Sequence, residues 1–180
     1  MPGRQWFAIA AIGRDRPGIV ADLSEFVYAC GCNLEDASMT MLGSEFATLM
    51  SVSGIGGRLT EELSNAARKL EREKRLTIFI QPLEEQSDRA TADARKFSLS
   101  AQGVDKAGIV SGVARTLAER GVLITDLRGR VSPMPQTGTP LYTLSLRMSI
   151  PRSVDVDALR DDLGRVGEKL DVEVSLREGD

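Results

Sequence analysis

The stretch IGRDRPGIVADL, residues 12–23, sets two arginines, two aspartates, a proline and two glycines directly ahead of a helical pattern. Two kinds of chemistry fit those residue types. One is structural: Asp15 can accept the unpaired N–H groups of a helix start, and Pro17 suits a first helical turn. The other is binding. The first turn of a helix offers free N–H groups and the positive end of its dipole to a carboxylate. Gly18, read as lying just inside the helix, costs about 0.5–1 kcal/mol relative to alanine there. Its missing side chain leaves room for a ligand or another backbone. Asn33, in NLED at 33–36, carries both a donor and an acceptor and is expected near that loop. N–H groups for a carboxylate and Asn33 for an amine describe a small amino-acid site. A larger side chain at Gly18 is then expected to block binding while largely sparing the fold. A weaker copy, QGVDKAGIVSGV at 102–113, holds Asp105, Lys106, Ala107, Gly108 and Ile109 in the same order.

Catalysis finds little support. The chain has no histidine, which removes Ser-His-Asp and Cys-His nucleophiles, histidine general bases and most zinc sites. Cys30 and Cys32 flank Gly31; two thiolates alone make a poor metal site, so they read as buried thiols at a helix end, in a reducing compartment. Asp15, Asp36, Asp105 and Asp126 are the only suggestive carboxylates, and capping and turn formation account for them. No catalytic residue, metal or cofactor is expected.

Composition narrows the classes further. Among 180 residues 42% are hydrophobic and 27% charged, ordinary for a globular chain. The net charge is −3, whereas a nucleic-acid binder usually carries a basic excess. RKLEREKRL at 68–76 mixes both signs and reads as a solvated helix face. No segment approaches the roughly 18 apolar residues of a membrane span. The run Trp6–Ile12 is followed by GRDRPG rather than a cleavage site, so a cytoplasmic protein is expected.

The elements that must hold these residues come in duplicate. Gly13 aligns with Gly103, Asp15 with Asp105, Gly18 with Gly108, Gly31 with Gly121 and Asp36 with Asp126, at an offset of 90. Phe46 with Tyr142, Leu63 with Leu159, Leu70 with Val166 and Ile78 with Val174 follow at 96. The loop SPMPQTGTP, 132–140, absorbs the difference. In the first half, a strand at 5–12 precedes a helix from Pro17 with Ile19, Val20, Leu23 and Val27 on one face and Gly31 as its left-handed cap. Strands at 33–42 and 45–53 join through Gly43, a helix starts near Thr60, and a strand spans 76–81. The second half repeats this with strand 96–102, helix 107–120, strands 122–132 and 140–149, helix 155–169 and strand 171–177. The expected fold is α+β: two ferredoxin-like βαββαβ domains, 1–82 and 96–180, with antiparallel sheets, helices on one face and a polar linker at 83–95.

DRPGIVADLSEFVYACGCNLED resembles the ACT domain, a small regulatory module that binds amino acids, and the resemblance extends over 5–81 and more weakly over 96–177. A tandem pair of this length is similar to the glycine cleavage system transcriptional repressor family, whose members modulate a separate DNA-binding activator. The resemblance implies ligand contacts at Asp15, Arg16, Pro17, Gly18 and Ile19 and, on the second strand, at Asn33 and Leu34. It implies a weaker second site at Asp105–Ile109, where Ala107 answers Pro17 and Leu123 answers Asn33. It implies a glycine or serine ligand, a regulatory protein partner, edge-to-edge pairing of domains with ligands at the seam, a compact pseudo-dimer within the chain and a further homodimer. Direct nucleic-acid binding and a membrane are not expected. The competing readings are a partner-binding module without ligand, a regulatory subunit of a metabolic enzyme, and an RNA-binding domain of the same topology, against which the 4% aromatic content weighs.

Overall fold

The computed structural model describes residues 3–84, 94–104, 107–134 and 137–179. The chain divides into two compact units, Met1–Ser87 and Asp88–Asp180. The linker expected at 83–95 falls largely outside the described residues.

The first unit runs β1 (Arg4–Arg14), α1 (Ile19–Ala29), β2 (Cys32–Leu42), β3 (Glu45–Ile55), α2 (Leu59–Lys74) and β4 (Leu76–Leu83). The second runs β5 (Ala94–Val104), α3 (Ile109–Glu119), β6 (Leu123–Pro133), β7 (Pro140–Pro151), α4 (Val156–Leu170) and β8 (Val172–Glu178). Sheet orders are β2-β3-β1-β4 and β6-β7-β5-β8, every pairing antiparallel. The two ferredoxin-like βαββαβ domains expected from the duplication are therefore present.

Alternation builds the cores. In β1, Phe7, Ile9 and Ala11 point inward; in β3, Phe46, Thr48, Met50 and Val52 share that face. α1 covers them with Ile19, Leu23, Phe26 and Val27, and α2 with Leu59, Leu63 and Ala67. Val20, expected on the apolar face of α1, is 58% exposed, and Phe26 takes its place. The second core repeats the plan with Phe97, Leu99, Leu144, Leu146, Leu117 and Leu159.

Two repeated details hold the elements in place. Each β2-type strand carries a bulge, between Leu34 and Asp36 and between Ile124 and Asp126. Each second helix ends in a left-handed residue that is not glycine, Arg75 (φ 55°) and Asp171 (φ 58°). The strand leaving that corner passes tightly over a glycine of the central strand. A Cβ on Gly13 would lie 2.6 Å from Leu76 Cδ2, and one on Gly103 only 2.7 Å from the Asp171 carbonyl oxygen.

Candidate functional site

The loop between β1 and α1 brings Asp15, Arg16, Pro17, Gly18 and Ile19 together, but not as a capped helix start. α1 begins at Ile19, so Pro17 and Gly18 belong to the preceding turn. Gly18 is the N-cap with φ 89° and lies outside the helix; its glycine is demanded by left-handed backbone rather than tolerated at a helical cost. No side chain caps the helix. Asp15 instead fixes the loop through its backbone, its N–H donating to the Ser44 carbonyl (3.0 Å) in the β2–β3 turn. The Ile19 N–H turns back on the Arg16 carbonyl (3.3 Å), and the Asp22 N–H on the Gly18 carbonyl (2.9 Å). Helical geometry gives the intervening Val20 and Ala21 N–H groups no intrahelical acceptor. A Cβ at Gly18 would meet open space, its nearest neighbour being Arg16 Nη1 at 4.0 Å. Crowding therefore does not select this glycine. A β-branched residue at φ 89° would strain the backbone, so Gly18→Val does not spare the fold.

A charge cluster stands beside the loop. Arg16 donates to Asp22, and the Lys74 ammonium lies 3.1 Å from the other Asp22 oxygen. Arg16, then Lys74, hold the Asp22 carboxyl below its ordinary value against the opposing pull of desolvation. Sequence reasoning passed over Asp22 and Lys74; their spacing along the chain carries no signal of this contact.

Asn33 and Leu34 are not near this loop within the domain. β1 and β2 run parallel with β3 between them, and α1 returns the chain to the opposite end of the sheet. Asn33 is level with Ser53 and Trp6, while Arg14 is level with Glu45. Eight residues of strand, about 27 Å, separate those levels. At its own end, Asn33 donates to Glu35 Oε1 (3.1 Å), which also accepts from the buried Ser53 hydroxyl and faces Arg4 Nη2 at 3.6 Å. Ser53, then Asn33, lower the Glu35 pKa. Asn33 can therefore join the Asp15–Ile19 loop only from another domain or copy.

In the second domain Ala107, Gly108 and Ile109 repeat the head of the helix, with Gly108 at φ 102°; Asp105 and Lys106 lie outside the described residues. The charge cluster is not repeated. Gly112 stands where Asp22 would be and Leu170 where Lys74 would be, with Leu170 Cδ1 at 3.0 Å from a Cβ built on Gly112. Cys30 and Cys32 are unpaired, and burial pushes both thiols up, away from thiolate chemistry. Among the described residues no helix is long and apolar enough to cross a membrane.

A family model for the ACT domain matches residues 5–81. The glycine cleavage system transcriptional repressor of Escherichia coli strain K12 is 42% identical over 60 residues, which covers 33% of this chain and 32% of the repressor. The matched stretch thus spans about a third of that relative's length. A UPF0237 protein of Methanopyrus kandleri is 40% identical over 67 residues, 34% of this chain and 74% of that protein. Among solved structures, an unknown protein from Galdieria sulphuraria has a TM-score of 0.82 at 28% identity, covering 99% of this chain and 100% of that one. A chain described as a candidate glycine cleavage system transcriptional repressor has a TM-score of 0.76 at 21% identity over 98% of both, a likeness of fold.

Proposed function

Because the chain belongs to the ACT-domain family, in tandem form, and is related to glycine cleavage system transcriptional repressors, we propose that it is a non-enzymatic regulatory protein that binds a small amino acid and modulates a protein partner. Glycine or serine is the ligand class, and a transcriptional regulator of amino-acid metabolism is the partner class. The ligand carboxylate sits on the first-turn N–H groups of α1, within the loop Asp15–Ile19. Asn33 and Leu34 complete the site from a second copy. Antiparallel pairing through the edge strand β2 would bring the start of one β2 level with the loop end of the other, and it would cover an exposed strand edge. The observation that carries this reading is the open head of α1. Gly18 bears no side chain there, no side-chain cap occupies the N–H groups, and Arg16 lies alongside. Occupancy biases how copies pair and so which surface the partner meets.

The test is thermal unfolding of the full chain against the twenty amino acids at millimolar concentration. A ligand at about 100 times its dissociation constant adds about 2.7 kcal/mol, a shift of several degrees. A shift confined to one or two small amino acids is expected. A flat panel would overturn the sensor reading.

A further inference from the structure

The outer face of the second sheet, away from its helices, differs from that of the first at position after position. In the first sheet one row across the strands reads Ser38, Leu49, Ala10, Phe79. The equivalent row of the second reads Arg128, Ser145, Ser100, Ser175. The neighbouring rows are Asp36, Ser51, Ala8, Gln81 and Asp126, Arg147, Ser98, Arg177. The same fold thus accepts alanine, leucine and phenylalanine where the second domain places serines, and uncharged serine and glutamine where it places arginines, so the fold alone does not require the cationic set.

Those residues enclose a basin of about 520 Å³, floored by Ser98, Ser100, Ser145 and Ser175 and flanked by Arg128, Arg147 and Arg177. Among the described residues Asp126 is the one carboxylate in its lining, 3.5 Å from Arg128 Nε. Among the described residues Arg147 and Arg177 have no carboxylate partner. Three guanidinium groups against one carboxylate make a cationic site on a chain whose net charge is −3. A second hollow, lined by Lys96, Thr125 and Ser149, adjoins it through Arg147 and adds another cation. Planar guanidinium forks and hydroxyl donors match oxyanions bidentately. The size suits a small molecule, and neither row offers an aromatic ring on which a nucleic-acid base could stack.

We propose that this face of the second domain binds a small molecule bearing two or more oxyanion groups, phosphate or carboxylate, at a site separate from the α1 loop. The test is calorimetric titration of the full chain with inorganic pyrophosphate and with citrate. Saturable binding of either is expected, and the preferred probe identifies the oxyanion. Arg147→Met and Arg177→Met should each weaken binding about tenfold, as loss of a charge-assisted hydrogen bond does. Arg115→Met, on the exposed side of α3, should leave it unchanged. Absence of saturable binding to both probes would overturn the proposal, as would binding only to a polyanion such as heparin, or equal weakening in Arg115→Met. In the amino-acid panel a shift with glycine or serine reports on the α1 loop, whereas one confined to the dicarboxylates aspartate and glutamate would report on this basin, whose described lining residues all lie in the second domain.

Discussion

Gly13 and Gly103 are glycines for lack of space, whereas Gly18 and Gly108 are glycines for their backbone angle. At Gly103 the obstruction is a carbonyl oxygen at 2.7 Å, which cannot step aside without moving the strand. At Gly13 the nearest atom is the tip of Leu76, and the Arg75 carbonyl is farther off at 3.3 Å. Overpacking typically costs about 1–3 kcal/mol, so Gly103→Ala should fall at or beyond the upper end and Gly13→Ala near the lower; urea midpoints order the two. Gly18→Ala, with room but the wrong φ, is expected to cost about 1–2 kcal/mol. Asp22 gives a prediction in pH. Its folded pKa lies below the ordinary 3.8 because Arg16, then Lys74, favour the carboxylate. The ionised group therefore stabilises the fold above that value, and the contribution is lost as pH falls through the depressed one. Asp22→Asn should be less stable than wild type at neutral pH, and the gap should close below about pH 4. A gap that is constant from about pH 7 to pH 3 would sink this assignment.

At the level of elements, strands and helices were legible because their periodicities are clean. Phe7, Ile9 and Ala11 alternate, and Ile19, Leu23, Phe26 and Val27 recur at helical spacing. The bounds observed lie within a few residues of those read from the sequence. The end of the sheet that holds Asn33 and Leu34 is not legible in the same way. Asn33 is only 15 residues from Gly18 along the chain, but α1 carries the chain back toward the opposite end of the sheet between them, so nearness in sequence becomes separation in space. The non-glycine corners at Arg75 and Asp171 carry little signal, since arginine has no preference for left-handed backbone and the tolerance of aspartate for it does not single out one aspartate among many. The separation itself makes a prediction. Val20→Asp adds a negative charge to the first turn, which suits the helix dipole but repels a ligand carboxylate. Asn33→Ala removes the other half of the proposed site. Each variant alone should lose the amino-acid-induced thermal shift. Mixed and allowed to exchange subunits, they should recover part of it, because a hybrid pair contains one intact seam. No recovery on mixing would argue that the two halves never meet.

Across the whole molecule, duplication preserved topology while the contacts diverged. Where the first domain ties α1 to the end of α2 through Asp22 and Lys74, the second closes the same gap with Leu170 against Gly112. Among the described residues each unit has its own core cluster, with Leu63 and Ile9 in one and Leu117 and Leu159 in the other. The family resemblance is legible in the first loop because the Asp-x-Pro-Gly pattern survives there; the second keeps the aspartate, a basic residue, the glycine and its angle but not the proline. Self-contained cores predict separable unfolding. Leu117 is fully buried, and Leu117→Ala should destabilise the second domain by about 2–5 kcal/mol. For a unit of this size that lowers its midpoint by about 8 °C or more. The single tryptophan of the chain, Trp6, lies in β1 and reports on the first domain alone. Its fluorescence midpoint should hold in Leu117→Ala while the far-ultraviolet circular dichroism splits into two transitions. If both probes moved down together, the two domains would have to unfold as one cooperative unit, and stabilisation by a ligand in the first would then reach the second directly rather than through a change of partner.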